Sequence, residues 1–295
     1  MLAIIIPYYK LTFFEATLQS LANQTNKRFK VYIGDDASLD NPSSLLKQFQ
    51  GKFEFIYHRF ESNFGSISLV QQWNRCIDMC ADEEWIMILG DDDVLGNNFV
   101  DTFYNNLEEA QLHSSVIRFS TYKIDEEGKK ISSVFMHPKI EKSTDFIFRN
   151  SRSSLSEYVF NKNQMLKIGF KELPLGWLSD VLAVLEFSNF KEVFSINEAK
   201  VYIRISNLSI SGKNDNVNFK TMAAFDFYYY LVVKKRNYFT DLQYIELRNK
   251  LNKIYLNNKK EGVFFFKITK FYFFNFLIKE YFYFLKSIYF NVTKG

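Results

Sequence analysis

The residues best suited to chemistry in this chain are carboxylates at the ends of apolar runs. Asp91-Asp92-Asp93 follow the run 85–89 through one glycine, Gly90, and Asp35-Asp36 follow 29–33 through Gly34. Three consecutive aspartates repel one another strongly unless a cation lies among them. A hard divalent ion with oxygen ligands fits. Mg²⁺ takes one or two protein carboxylates and completes its shell with water and substrate phosphate, so a short acidic turn is enough when a diphosphate is the ligand. The competing reading is a solvated acidic turn that caps the next helix, expected over 97–111, since carboxylates favour helix N-termini.

Such groups need rigid elements behind them. Residues 2–6 form a continuous branched apolar run ending in Pro7, the pattern of a buried parallel strand. The runs 29–33, 53–58 and 85–89 read as further strands, with helices expected over 13–23, 42–49 and 68–80. Strand alternating with helix through short links predicts an α/β domain built on a parallel, doubly wound sheet. Ligands of such sheets lie beyond the carboxyl ends of the strands. Those ends carry Pro7-Tyr8-Tyr9, Asp35-Asp36 and Asp91-Asp92-Asp93, so three strands deliver polar or aromatic groups to one edge. Residues 116–211 read as mixed strands and helices with no linker or repeat before them, and one domain is expected over 1–218.

Composition narrows the classes. A chain of 295 residues, 47% hydrophobic and 24% charged, can bury a sizeable core, which excludes a disordered tail protein and a small disulfide scaffold. Cys76 and Cys80 stand four apart in an expected helix with no partners for a tetrahedral metal set, and read as reduced, buried residues of a reducing compartment. The start has no basic n-region and its apolar run stops at Pro7, too short for a signal peptide or a span, so a cytoplasmic location is expected. There is no GxxxxGK[ST], no GxGxxG after a strand and no GxSxG, and the histidines are only His58, His113 and His137. A P-loop NTPase, a dinucleotide dehydrogenase and a Ser/His/Asp hydrolase are therefore not expected.

The net charge of +4 hides two unlike parts. Residues 220–295 hold 14 Lys+Arg against 5 Asp+Glu, a net of +9, leaving 23 against 28, a net of −5, for residues 1–219. A helical C-terminal region is expected over 219–295, and its last 33 positions, 263–295, contain 14 aromatic residues. The longest uncharged stretch there, 271–278, is well short of the ~20 residues of a spanning helix. A helix over 271–290 places Asn275, Lys279 and Lys286 on one face and rings on most others, as in an interfacial helix on an anionic membrane. The alternative is that the rings pack on the rest of the chain or on another subunit while the lysines snorkel. No nucleic-acid motif accompanies the basic stretch, and the front of the chain is acidic, so no nucleic-acid partner is expected.

Four segments in order carry a resemblance. Leu2-Ala3-Ile4-Ile5-Ile6-Pro7-Tyr8-Tyr9, then Val31-Tyr32-Ile33-Gly34-Asp35-Asp36-Ala37-Ser38-Leu39-Asp40, then Asn63-Phe64-Gly65, then 85–93 resemble the ordered motifs of family-2 glycosyltransferases with a GT-A fold. The resemblance implies a Rossmann-like, mostly parallel mixed sheet flanked by helices. It also implies transfer of a sugar from a nucleotide-diphosphate donor, UDP-sugar favoured, with Mg²⁺ or Mn²⁺. By the same resemblance Pro7, Tyr8 and Asp36 line the base and ribose. Asp91 and Asp93 form the DxD pair, with Asp93 as direct metal ligand and Asp92 beside them in the donor site. Asp35 turns the strand end and orients Ser38. Arg204 in Tyr202-Ile203-Arg204-Ile205 is either a phosphate contact or a surface strand residue. Two departures are visible: Gln72-Trp73-Asn74-Arg75 stands where relatives often have Ala-Arg-Asn, and Ser206 stands where many have a metal-side histidine.

An inverting displacement needs a carboxylate that takes the acceptor hydroxyl proton. Leu173-Pro174-Leu175-Gly176-Trp177-Leu178-Ser179-Asp180 resembles the family's acidic motif near the acceptor, which makes Asp180 the candidate base. Its alternative role is a helix N-terminal acid, and Trp177 either stacks on an acceptor sugar or belongs to the core. The implied activity is a metal-dependent, inverting transfer to a hydroxyl of a glycan or lipid-linked cell-surface precursor, with the protein peripheral on the inner face of the membrane. The competing readings are a non-catalytic sugar-nucleotide-binding or scaffolding protein and a sugar-nucleotide pyrophosphorylase. The latter normally needs a Gly-rich basic N-terminal loop, which Pro7-Tyr8-Tyr9-Lys10 does not supply.

Overall fold

The computed structural model describes residues 1–149, 153–207, 209 and 216–293, with side chains through 290. Most of the polar loop expected over 209–218 lies outside the described residues. The chain forms two compact units, Met1–Asn216 and Val217–Gly295.

The first unit begins with β1 (Leu2–Tyr8), α1 (Phe14–Ala22), β2 (Phe29–Asp35), α2 (Ser43–Gln48), β3 (Glu54–Arg59), α3 (Leu69–Ile77) and β4 (Trp85–Ile88). It continues with β5 (Val94–Leu95), α4 (Phe99–His113), β6 (Val116–Ile124), β7 (Ile140–Lys142), α5 (Ser143–Phe146), β8 (Tyr158–Asn161), α6 (Lys162–Ile168), α7 (Ser179–Phe187) and β9 (Glu192–Arg204). One sheet runs β3-β2-β1-β4-β8-β6-β9-β5, with β7 on β9. The first four strands are parallel, as the alternating pattern predicts, and β8 then pairs antiparallel with both β4 and β6. The α/β expectation holds, and the sheet is mixed because the short β8 enters at its centre from late in the chain.

β1 is buried along its length because it lies between β2 and β4 under helices on both faces. It runs two residues past the expected end and carries Pro7 inside it. Ile5 C=O accepts from Leu89 N–H at 2.8 Å, so alternate residues point their backbone groups at β4 and Pro7 shares that parity. The β1–β4 ladder stops at Ile5–Ile88, so the missing proline N–H falls where no partner strand remains. There the chain order reverses, with β2 and β3 on one side of β1 and β4 on the other, the switch point beside whose carboxyl ends such sheets bind ligands.

The helices are placed by local chemistry. Ser68 caps α3 by accepting from Gln71 N–H at 3.1 Å, and Val70, Trp73, Cys76 and Ile77 form its buried face. Gly34 permits that packing: a Cβ there would collide with Cys76 Sγ. Burial pushes the Cys76 and Cys80 thiols up to about 12, which leaves both as unreactive free thiols.

The second unit contains α8 (Val217–Lys234), α9 (Asp241–Asn257), α10 (Gly262–Phe274) and α11 (Ile278–Thr293). A capping box between Thr240 and Gln243 starts α9. The single helix expected over 271–290 is broken. Phe276 adopts φ 54°, its N–H reaches Phe273 C=O at 3.1 Å, and Leu277 N–H reaches Tyr272 C=O at 3.0 Å, a Schellman end with a phenylalanine in the left-handed position. Asn275 thus closes α10 and does not share a helical face with Lys279 and Lys286 of α11. The aromatic residues divide: Phe264, Phe271, Tyr272 and Phe284 are buried within the unit, while Phe266, Phe273, Phe274, Phe276 and Phe282 are exposed. Among the described residues no helix is long and apolar enough to cross a membrane.

Candidate active site

The acidic turn after β4 is braced from four directions. Asp91 Oδ2 accepts from Tyr9 N–H at 2.8 Å and Lys10 N–H at 2.9 Å, tying the end of β1 to the end of β4. The Thr17 hydroxyl of α1 donates to the backbone oxygens of Asp91 and Asp93 at 3.1 and 2.8 Å. Asp93 is buried and both its carboxylate oxygens accept protein bonds: Oδ1 from Arg204 N–H at 2.8 Å, Oδ2 from the Ser156 hydroxyl at 2.5 Å. Ser156 Oγ in turn accepts from Gly90 N–H at 3.0 Å.

Asp92 differs from its neighbours. Among the described residues no other residue donates a hydrogen bond to its carboxylate, and burial, then Asp93 and Asp91, hold it well above the ordinary carboxylate range. Burial also raises Asp91, against the pull of the Tyr9 and Lys10 amides. The turn therefore concentrates acidic groups that resist ionising together, and a bound cation would relieve this.

A hard divalent ion suits these donors. Among the described residues no three His, Cys, Asp or Glu side chains form a closed metal cage, but an ion that keeps water and substrate oxygens needs only one or two carboxylates. A Cβ placed on Gly90 would lie 2.9 Å from Asp92 Oδ1 and 3.1 Å from Asp93 Oδ2, so two aspartates flank the space that glycine leaves.

Arg204, expected to be either a phosphate contact or a surface strand residue, is not the latter. It is buried, with Nε donating to Asp92 C=O at 2.9 Å and Nη1 to the Asp125 and Glu126 carbonyls at 2.7 and 2.9 Å. Its guanidinium clamps the acidic turn to the end of β6. Tyr8 is also corrected. Its ring is in the core, 4.6 Å from the Phe14 ring, and its hydroxyl donates to Asp40 C=O at 3.1 Å, with burial raising the phenol above its ordinary range. Pro7, partly exposed, and the exposed Tyr9 are the residues of this strand end that reach the surface.

At the β2 end the two aspartates have distinct partners. Asp35 is fully buried and accepts from Ser38 N–H at 2.8 Å, the Tyr57 hydroxyl at 2.6 Å and Arg59 Nη1 at 3.0 Å, so it does orient Ser38. Asp36 accepts from Phe64 N–H at 2.7 Å and Gly65 N–H at 2.8 Å and pairs with Arg75, whose guanidinium lies over the Phe60 and Phe64 rings. Burial raises the Asp36 carboxyl, opposed by the two amides and Arg75. Arg75, two places beyond Trp73, which stands at the family's usual arginine position, thus holds the Asn63-Phe64-Gly65 loop onto β2.

Asp180 stands in the first turn of α7, after a segment with Leu175, Gly176 and Leu178 all at positive φ. A Cβ on Gly176 would meet the Trp73 ring at 2.9 Å, so this strained approach seats the segment against α3. Asp180 Oδ2 accepts from the Ser153 hydroxyl at 2.6 Å, and Ser153 Oγ is 2.8 Å from the Tyr158 hydroxyl. One short segment before β8 thereby touches both acidic centres: Ser153 reaches Asp180 and Ser156 reaches Asp93. Sequence reasoning missed these serines, and no periodicity or motif marks them. Trp177 is partly exposed, and Ser206 is buried.

The family model described as glycosyl transferase family 2 matches residues 3–170, more than half of the chain. An uncharacterized glycosyltransferase of Haemophilus influenzae is 24% identical over 253 residues, 83% of each chain. An uncharacterized glycosyltransferase, MG060 homolog, of Mycoplasma pneumoniae is 31% identical over 100 residues, which span 32% of each chain. Among solved structures, Staphylococcus aureus TarS 1–349 in complex with UDP-GlcNAc shares the fold with a TM-score of 0.64 at 16% identity, over 86% of this chain and 71% of that one. Its complex with UDP gives a TM-score of 0.57 at 14% identity, over 86% and 80%. The sheet, the order of its strands and the match of more than half the sequence place the chain in glycosyl transferase family 2, as a glycosyltransferase of the GT-A fold.

Proposed function

We propose that the protein transfers a sugar from a UDP-sugar to a hydroxyl of a cell-surface glycan precursor by a single inverting displacement. The observation that carries the reading is the acidic turn between the ends of β1 and β4, with an Asp92 carboxylate to which no other described residue donates, joined through the segment 153–158 to Asp180. Pro7 and Asp36 border the base and ribose. Asp91, with one oxygen held by Tyr9 and Lys10, keeps the other for the donor. Asp93 and Asp91 are the ligands expected from the resemblance; since both Asp93 oxygens and one Asp91 oxygen already accept protein bonds, Asp92, with the adjoining edge of Asp93, would hold Mg²⁺ or Mn²⁺. When bound, the ion supplies positive charge for the departing diphosphate.

The protein's own part is positional. Arg204, Thr17 and Ser156 fix the acidic turn before any substrate arrives, so little reorganisation accompanies charge development. Ser153 orients Asp180, which takes the acceptor hydroxyl proton as the new glycosidic bond forms on the face opposite the leaving diphosphate. The UDP donor is favoured by the fold shared with TarS, whose complexes hold UDP-GlcNAc and UDP. A peripheral place on an anionic membrane is supported by the exposed rings Phe266, Phe274, Phe276 and Phe282 in a unit rich in lysine.

The test is calorimetric titration of UDP, GDP, CDP and dTDP with and without Mn²⁺ against the wild type and Asp92→Asn, followed by donor turnover with Asp180→Asn. Expected are Mn²⁺-dependent binding of UDP that Asp92→Asn weakens at least about tenfold, and unchanged UDP binding with lost turnover in Asp180→Asn. Absence of nucleotide binding in the wild type would overturn the reading in favour of a scaffolding role.

A further inference from the structure

The second unit holds a cavity that the transfer reading does not use. It has a volume of about 740 Å³ and lies between α9, α10 and α11. Its polar wall includes Arg248, Asn249, Asn252, Lys253 and Lys279, and its apolar wall includes Phe284. Arg248 is the unusual group. Its side chain is only 11% exposed, yet among the described residues Nε and Nη1 find no hydrogen-bond partner. The nearest carboxylate, Glu280, is 4.0 Å from Nη1, too far to accept a hydrogen bond, and the Tyr244 ring lies 5.2 Å from the guanidinium carbon.

A guanidinium does not shed its proton in a protein, so it cannot escape this burial by neutralising. Buried unmet donors on a charged group are costly, and native chains retain them where a ligand completes them. Asn252 repeats the pattern: Nδ2 donates to the Tyr272 hydroxyl at 2.8 Å and Oδ1 is buried without a partner. A half-turn of that amide keeps a bond to Tyr272, whose hydroxyl both donates and accepts, and puts N–H donors where the carbonyl oxygen stands. The cavity wall then offers Arg248, Lys253 and Lys279 against the single carboxylate of Glu280.

We propose that this cavity binds the phosphoryl group of an amphiphilic phosphate ester, with Arg248 as the anchor. Two surplus positive charges match a phosphate dianion, and the forked donors of Arg248 match its oxygens. The volume is in the range of sites for small organic ligands and exceeds what a lone oxyanion fills, and Phe284, Tyr272 and Tyr283 provide an apolar seat for the ester's remaining group. The site lies wholly within the Val217–Gly295 unit and does not depend on the reading of the acidic turn.

The test uses the full chain in EDTA, so that no divalent ion can recruit a phosphate to the acidic turn. Calorimetry with inorganic pyrophosphate addresses a soluble source. Flotation with phosphatidylcholine vesicles containing phosphatidic acid addresses a lipid source, with oleic acid at equal charge as the control without phosphate. Expected is binding of at least one phosphate probe that Arg248→Met weakens at least about tenfold, while the melting temperature of the free variant equals or exceeds that of the wild type because a buried charge with unmet donors has gone. Pyrophosphate binding alone identifies a soluble ester, and phosphatidic acid binding above the oleate control identifies a lipid headgroup. Should Arg248→Met fail to fold, the Lys253→Gln/Lys279→Gln double variant carries the test, with a severalfold loss expected. Equal binding by variant and wild type, or no binding of either probe by the wild type, overturns the proposal.

Discussion

Asp92 and Asp93 are adjacent and chemically identical, yet the structure gives them opposite responses to substitution. Asp93→Ala removes two hydrogen bonds to a buried carboxyl, at 2.8 Å from Arg204 N–H and 2.5 Å from the Ser156 hydroxyl, and leaves the Arg204 amide buried without a partner. At about 1–3 kcal/mol for each buried donor left unsatisfied, the loss is about 2–6 kcal/mol. For a chain of this size that lowers the melting temperature by on the order of 10 °C. Asp92→Asn removes a desolvated carboxyl that stands beside two like groups, which outweigh the opposing pull of Arg204, so the free protein keeps or gains stability. With saturating Mn²⁺ and UDP the order reverses. Ligand at about 100 times its dissociation constant stabilises by ~2.7 kcal/mol, and the wild type should show this gain while Asp92→Asn does not. The assay is thermal unfolding of the three proteins, each with and without Mn²⁺ and UDP. An Asp92→Asn protein as destabilised as Asp93→Ala, or one that keeps the full ligand-induced shift, refutes the division of labour between ion binding and bracing.

Three further outcomes follow from the same geometry. Asp91 and Asp92 hold their protons more tightly in the folded chain than in the unfolded one, so their contribution to stability falls as pH rises from the ordinary carboxylate value of 3.8 through their raised folded values. Melting curves of the metal-free protein across acidic pH should show this slope, and Asp92→Asn should reduce it; an unchanged slope in the variant would assign it to other groups. Arg75→Met leaves Asp36 buried without its ion pair and should cost about 3–5 kcal/mol in urea unfolding, with a further rise of the Asp36 carboxyl measurable by NMR titration. Phe276→Gly relieves a left-handed phenylalanine that is 89% exposed and packs little, so it should stabilise the second unit by up to about 1 kcal/mol, read from its unfolding transition.

The strands that deliver the site were legible because their signal is local. The runs ending at Pro7, Asp35 and Asp91 are unbroken apolar segments followed by polar turns, and burial of β1, β2 and β4 on both faces leaves no other pattern for them. The alternation of strand and helix through residue 88 was sufficient for the parallel half of the sheet. The other half was not legible, since β8 has four residues and its place between β4 and β6 depends on pairing across more than 70 positions to β4 and at least 40 to β6. The tail was misread at Asn275 for a related reason: a hydrophobic pattern does not distinguish one long helix from two joined by a Schellman turn when the turn carries no glycine.

Residue types and their order along the chain determined which chemistry was available: acidic groups at three strand ends, no phosphate loop, no nucleophile elbow, and a basic aromatic C-terminal part. Only the tertiary structure decided what each group does. It brought Ser153 and Ser156 to Asp180 and Asp93, turned Arg204 inward onto the acidic turn, sank the Tyr8 ring into the core, and left the Asp92 carboxylate with no donor from any other described residue while its neighbours were held. The physical reason is range. Burial and periodicity act over a few residues and are written in the local sequence, whereas the pairing of a carboxylate depends on which distant donor the closed fold brings within about 3 Å.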